Sequence, residues 1–596
     1  MAAPVLEIAD LAVGFDTFDG PVEAVRGVSL SVAPGECLAV VGESGSGKTQ
    51  TFLAAMGLLP PGARVAGQAR LKGEELIGLP ARELNRLRGS RMTMIFQDPL
   101  TALTPHMRVG EQIAEPLVAH LGLSRTDALA RAQAWLAKVR VPDPARRMRQ
   151  YPHELSGGMR QRVMIAMAMA CEPELLIADE PTTALDVTVQ AEVLDLMAEL
   201  QRESGCAVVL ITHDMRVVAR MADRVAVMRR GEVVETAPVA ELFAAPREPY
   251  TRALLDAVPR VDAEGRGGRP LPAPVPDDAP VVIAAEDLRV SFKVSQGLFA
   301  PPRMLKAVDG VSLSVRRGET LGVVGESGSG KSTLARALLN LVRPEAGALT
   351  LLGRGLDPRD EGAVRRARKD LQVVFQDPLA SLDPRMPVGD SIAEPATVFR
   401  KDWSAREREQ AVRATMERVG LESTLINRYP HELSGGQNQR VGIARAMILG
   451  PQVVICDEAV SALDVSVRAQ VLDLLIDLQR EYGLAMVFIS HDLAVVREVS
   501  HRVLVLYLGQ VVETAGRDAL FAAPRHPYTR ALLSAAPIPD PALERARTRV
   551  KLAGDPPSPL EPGAALRFLP SRRGQPDYRP RLQEAAPGHW VAEHED

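Results

Sequence analysis

The sequence predicts an α/β protein made of two tandem phosphate-loop domains, and three observations lead there. First, residues 153–186 read H-E-L-S-G-G-M-R-Q-R, a helix-like apolar run, then E-L-L-I-A-D-E-P-T-T-A-L-D. Residues 431–464 repeat the pattern as H-E-L-S-G-G-Q-N-Q-R and V-V-I-C-D-E-A-V-S-A-L-D, displaced by 278 positions (Ser156 to Ser434, Glu180 to Glu458). Such a constant displacement is an internal repeat. Second, each copy is preceded by G-x-x-x-x-G-K-[ST] between a strand-like run and a helix-like run, the context that makes this motif credible as a phosphate loop. Third, the apolar run ending in Asp-Glu reads as a buried strand that carries two carboxylates to its tip.

Composition narrows the classes. At 596 residues the chain has room for roughly three to five domains. Its 46% hydrophobic and 24% charged content is ordinary for a protein with large cores. The net charge is -4 and no long Lys/Arg run occurs, so nucleic acid is not expected as a partner. Cys37, Cys171, Cys206 and Cys456 lie far apart without a C-x-x-C pair, which argues against a zinc site or a disulfide framework and for buried thiols. The N-terminus lacks a basic region followed by an apolar one, and no segment approaches 18 uninterrupted apolar residues. The expectation is a chain that stays in a reducing cytosol and does not span a membrane alone.

Taken in order, residues 5–40 alternate in short strand-like runs that feed into Gly42-Glu43-Ser44-Gly45-Ser46-Gly47-Lys48-Thr49. Glycines let backbone N–H groups wrap phosphates, Lys48 neutralises the β and γ charge, and the Thr49 hydroxyl suits Mg2+. Phe15 and Phe18 precede the loop; either ring could stack on an adenine, and Phe15 is favoured, with Phe292 in the matching place of the second half. Gln97 follows the strand-like M-T-M-I-F, where an amide reaches a metal ion or an attacking water. Helical patterning from about 109 to 149 leads to Ser156-Gly157-Gly158, whose bare N–H groups, hydroxyl and helix dipole suit an anion. Asp179 then suits Mg2+ and Glu180 the orientation or deprotonation of water. A further strand ends at His213, well placed for a γ-phosphate.

Residues 261–280 are rich in Pro, Gly and charge and read as a linker between domains at 1–260 and 281–540. The second domain repeats every element: Gly325-Glu326-Ser327-Gly328-Ser329-Gly330-Lys331-Ser332, Gln376, Ser434-Gly435-Gly436, Asp457, Glu458 and His491. Both halves close on a shared motif, F-A-A-P-R-E-P-Y-T-R-A-L-L and F-A-A-P-R-H-P-Y-T-R-A-L-L. The tail, 541–596, is Pro- and Arg-rich with little periodicity and is expected to pack poorly.

With all these motifs in order, each half resembles the ATP-binding domain of an ABC transporter. The resemblance implies a fold of two tandem ABC-type P-loop NTPase domains, each with a RecA-like mixed sheet core, an antiparallel β subdomain and an α-helical insert. It also implies a head-to-tail pairing of the two halves within the chain as a pseudo-dimer, in which Lys48 shares an ATP with Ser434, and Lys331 with Ser156. On this reading Glu180 and Glu458 are the catalytic carboxylates, with His213 and His491 at the γ-phosphate. Asp179, Asp457, Thr49, Ser332, Gln97 and Gln376 surround Mg2+. Both halves keep Lys, Ser, Glu and His, so two hydrolytic sites are expected. The departures are Met159 where the second half has Gln437, and Ala459 where the first has Pro181.

F-Q-D-P-L-A-S-L-D-P-R, D-E-A-V-S-A-L-D-V-S-V-R and A-P-R-H-P-Y-T-R-A-L-L are similar to the ATP-binding subunits of dipeptide, oligopeptide, glutathione and nickel importers in fused, double-domain form. Two transmembrane permease subunits, a solute-binding protein and a peripheral place on the cytoplasmic face of the membrane are what the resemblance implies. Peptides, including glutathione, are the expected cargo, with nickel or another small solute as the alternative. The short Pro-rich linker counts against soluble twin ATPases of translation, which join their halves by a long charged helix. The absence of zinc-type cysteine pairs and long heptads counts against DNA-repair ATPases. The tail continues past P-S-P without a cysteine, so no iron-sulfur cluster is expected there.

Overall fold

The computed structural model describes residues 3–17, 20–183, 185–263, 265–266, 269–295, 302–550, 552, 558–575 and 578–595. The chain divides into two compact units, Met1–Val258 with Pro537–Arg547, and Pro259–Ala536 with Thr548–Asp596.

In the first unit the central sheet has six strands in the order Glu232–Pro238, Arg224–Arg229, Cys37–Val41, Ala207–Thr212, Leu175–Asp179, Met92–Ile95. All neighbours are parallel except the edge strand Glu232–Pro238. The three middle strands are buried at every position, because a parallel sheet is covered on both faces and its strands are therefore continuous apolar runs. Alternate side chains go to different cores. Leu38, Val40, Val209 and Ile211 meet Phe52 of helix Lys48–Ala55 and the antiparallel strands. Cys37, Val208 and Leu210 face the helical insert, Val109–Leu121 and Arg125–Lys138. The antiparallel sheet has four strands, ordered Gly20–Val32, Leu6–Thr17, Arg64–Leu71, Glu74–Glu75.

The second unit repeats this plan with Thr320–Val324, Ala485–Ile489 and Val453–Asp457 in the middle of its parallel core and a four-stranded antiparallel sheet built on Val281–Val294. Its main sheet has eight strands, because Leu582–Ala586 and His589–Ala592 form a hairpin that continues from the edge strand Gln510–Gly516.

The tail thus differs from the poor packing expected of it. Helix Pro541–Ala546, capped by the Asp540 carboxylate, belongs to the first unit. There the buried Glu544 accepts from Ile538 N at 3.0 Å and pairs with Arg220 at 3.4 Å. The hairpin belongs to the second unit, where His589 Nε2 lies 2.6 Å from the buried Glu513 carboxylate. Strands of four and five residues with one buried pair are too short to leave a periodic signal. The segment after residue 260 is likewise not merely a spacer: Arg269 pairs with Asp473 and Asp477 within the second unit. All four cysteines are free thiols, Cys37, Cys206 and Cys456 buried and Cys171 partly so. Among the described residues no helix is long and apolar enough to cross a membrane.

Candidate functional site

Each phosphate loop runs from the end of the central strand into the following helix. Two of its glycines sit at positive φ against backbone: a Cβ on Gly42 would lie 2.2 Å from Met228 O, and one on Gly47 2.4 Å from Ala24 O. No L side chain fits there, so the loop holds its shape only with glycine. Lys48 Nζ donates to Gly42 O at 2.8 Å and Glu43 O at 2.9 Å. Lys331 does the same with Gly325 O at 2.7 Å and Glu326 O at 2.9 Å. The buried lysines are therefore oriented across the mouth of their own loops.

The hydroxyl after each lysine faces the strand-end aspartate: Thr49 Oγ1 donates to Asp179 at 2.9 Å, and Ser332 Oγ to Asp457 at 3.0 Å. Burial pushes the Asp179 carboxyl up to about 6 against the lowering effect of Thr49 and Lys48, while the Glu180 charge raises it further. Asp457 is raised for the same first reason, burial. A buried carboxylate short of positive charge beside a hydroxyl is a hard-oxygen donor set that fits Mg2+.

Glu180 and Glu458 both take left-handed backbone, φ 47° and 49°. That conformation costs a non-glycine residue about 1–3 kcal/mol and is held here by a hydrogen bond from each N–H to the neighbouring strand, at Ile211 O and Ile489 O. The Glu180 carboxylate accepts from Gln97 Nε2 at 2.8 Å and Thr183 Oγ1 at 2.9 Å and lies 2.7 Å from His213 Nδ1. Glu458 accepts from Gln376 Nε2 at 2.9 Å and lies 3.4 Å from His491 Nδ1. Burial raises both glutamates, but His213 with Thr183 and Lys48 outweighs it at Glu180, and His491 with Lys331 at Glu458, so both stay below the ordinary value. The carboxylates are thereby kept ionised, the form in which such a group can accept a proton or orient a water.

Within each unit, then, Lys, Thr/Ser, Asp, Glu, Gln and His converge on one strand-end cluster. The side-chain amide N–H of Gln97 and of Gln376 turns to the glutamate. Phe15 lies half-buried against the apolar core, and Phe292 on its strand is 40% exposed. Phe18 lies outside the described residues.

Ser156 and Ser434 cap the helices Gly157–Met169 and Gly435–Met447, accepting from Met159 N at 3.3 Å and Gln437 N at 3.2 Å. Gln437 returns the bond, its Oε1 accepting from Ser434 N at 2.9 Å, a reciprocal cap that Met159 cannot make. Met159 instead packs on the apolar core.

Three further residues join the clusters without a signal in the sequence that marks their role. Thr183 is a threonine in a loop, with nothing to distinguish it until its hydroxyl is seen on Glu180. Tyr250 and Tyr528, from the repeated P-Y-T-R-A-L-L, place their hydroxyls on the phosphate loops, accepting from Glu43 N at 3.3 Å and Glu326 N at 2.9 Å. Their repetition is visible in the sequence, but not what they touch.

Against known proteins, the ABC transporter family model matches residues 25–183 and 308–461. A model described as the oligopeptide/dipeptide transporter C-terminal region matches 234–280 and 512–574. The chain is 46% identical to the glutathione import ATP-binding protein GsiA of Escherichia coli, over 99% of this chain and 97% of that protein. It is 47% identical to GsiA of Salmonella typhimurium (99% and 96% covered) and 48% identical to GsiA of Pectobacterium atrosepticum (93% and 93%).

Proposed function

The chain belongs to the ABC transporter family, as an ATP-hydrolysing subunit of the glutathione and peptide importer branch, and from that premise we propose that it drives uptake of small peptides, glutathione among them, through separate permease subunits. The observation that carries ATP hydrolysis in this reading is the completeness of both clusters: Lys48, Thr49, Asp179, Glu180 and His213 in one unit, and Lys331, Ser332, Asp457, Glu458 and His491 in the other; the peptide cargo is supported by the similarity to the glutathione import ATP-binding proteins. Neither half has lost a group that hydrolysis requires.

On this proposal each ATP is bound by one half's phosphate loop and the other half's capped serine, Lys48 with Ser434 and Lys331 with Ser156. Mg2+, held by Thr49 with Asp179 and by Ser332 with Asp457, would neutralise the phosphate charge. Glu180 and Glu458 accept the proton of the attacking water, and His213 and His491 hold them in place. Gln97 and Gln376 link each carboxylate to the helical insert that follows, a route for nucleotide state to reach a permease. A cavity of about 830 Å3 in the second unit supports a docking role for that insert. It is lined by Leu341, Val364, Arg368, Glu394 and Val398, with Leu341 50% and Val398 38% exposed. Such a concave, mixed apolar and charged lining suits a short helix of a partner. The chain would then sit peripherally on the cytoplasmic face of the membrane.

ATPase activity of the purified chain tests the proposal, alone and with its permeases, a solute-binding protein and a panel of di- and tripeptides including glutathione. Stimulation that requires the membrane partners and a peptide-loaded binding protein is expected. Stimulation by a nickel-loaded binding protein instead would move the cargo to metal chelates, and stimulation by ribosomes alone would refute transport.

A further inference from the structure

The contact between each phosphate loop and a distant tyrosine has no part in the reaction described above, yet it occurs twice. Glu43 and Glu326 are the residues whose carbonyls hold Lys48 and Lys331. Their N–H groups donate to Tyr250 and Tyr528. Both ends of the same residue are thus held, one by the lysine that meets phosphate and the other by the tyrosine. Both tyrosines stand near the start of a helix, Pro249–Asp256 or Pro527–Ala535, within the two segments that match the peptide-transporter C-terminal region.

The two tyrosines are backed differently. Tyr250 is half-buried and lies under the Arg229 guanidinium, 4.8 Å from the ring centre. At the matching position of the second half stands Tyr507, whose ring is 4.7 Å from that of the fully buried Tyr528. Phe568, from the C-terminal segment, closes over this pair, 5.2 Å from Tyr507, 6.1 Å from Tyr528 and 5.0 Å from His526. That segment is in turn fastened by His589 on Glu513 and by the strand pairing of Trp590 with Thr514. The better-packed tyrosine makes the shorter hydrogen bond, as expected of an aromatic ring fixed on several faces.

We propose that Tyr250 and Tyr528 are positioning residues of the two phosphate loops, and that the C-terminal residues 558–575 and 578–595 tighten the second loop alone. The two ATP sites then bind nucleotide unequally although each keeps the same Lys, Asp, Glu, Gln and His. The proposal rests on the reading of both loops as ATP sites.

Binding of a fluorescent ATP analogue to the full chain tests it, with Lys48→Ala used to read the second loop and Lys331→Ala the first. Tyr528→Phe, which keeps the ring and removes only the hydroxyl, weakens the second loop about 3- to 10-fold. Tyr250→Phe weakens the first by less, and Phe568→Ala weakens only the second. The two Tyr→Phe variants raise KM for ATP without changing kcat at saturation, which a merely structural role would not produce. Parent-like affinity in Tyr528→Phe, or equal loss at both loops in any one variant, overturns the proposal. If Lys48→Ala with Lys331→Ala still binds the analogue, the reading of the loops fails, and the proposal with it.

Discussion

The second glycine of each L-S-G-G stretch separates packing from ligand binding in a way that can be measured. A Cβ on Gly436 would sit 2.3 Å from Val467 Cγ1, on the helix Val465–Tyr482. Carbon atoms pack at about 3.5–4.0 Å, so the two helices would have to part by more than about 1 Å or Val467 would have to turn. A valine in a helix has one strongly preferred rotamer and resists turning. Overpacking of this kind costs about 1–3 kcal/mol. Against it stands the intrinsic helix preference of Ala over Gly, about 1 kcal/mol in a helix interior and less this close to the N-terminus. Gly436→Ala should therefore lose about 1–2 kcal/mol net and melt about 2–8 °C lower. At its neighbour Gly435 an added Cβ would meet nothing within 4 Å, so Gly435→Ala should melt no lower than the parent. It should nonetheless lose ATP turnover, because a methyl then covers backbone N–H groups offered to phosphate. Calorimetry with steady-state ATPase assays separates the two, and Val467→Ala should relieve Gly436→Ala in a double-mutant cycle. Unchanged melting of Gly436→Ala, or no coupling to Val467, would refute the packing argument.

Glu180→Gln and Glu458→Gln should each lower ATP turnover by about half or more, since a positioned general base contributes about 10²- to 10⁴-fold at its own site; full activity in either variant would show that its site does not turn over. Burial, then the charges of His594 and Arg530, lowers His526 to about 3. As pH falls below about 6.5 the unfolded chain takes up a proton that the folded one refuses, so stability drops by about 1.4 kcal/mol per pH unit from this group. His526→Gln should flatten the fall in melting temperature between about pH 6 and 4, and an unchanged slope would exclude His526 as its source. His501, lowered to about 4 by burial and then by Arg517, acts in the same direction, whereas Asp179, raised to about 6 by burial, opposes both over the same window. Glu544→Ala leaves the Ile538 N–H without its acceptor and removes a partner of Arg220. It should cost about 1–3 kcal/mol and speed hydrogen exchange in helix Met215–Met221 of the first unit, whereas protection equal to the parent's would mean that the tail helix contributes nothing there.

Much of this molecule is legible from local order along the chain. The phosphate loops, the Asp-Glu strand ends, the capped Ser-Gly-Gly and the duplication are contiguous motifs. Their chemistry depends on neighbours a few residues apart, so spacing alone reveals Lys48, Asp179, Glu180 and their counterparts. Tertiary structure alone decided what depends on distant partners. The left-handed φ of Glu180 and Glu458 is held by bonds to the next strand. Gly436 is small because Val467 comes from another helix. The tail, weak in periodicity, folds because Glu513, Tyr507 and Arg220 wait for it in sheets and helices formed long before it in sequence. A buried hydrogen bond or a ring contact needs two complementary groups brought within a few ångströms. Where tens to hundreds of residues separate them, only the folded chain puts the pair together.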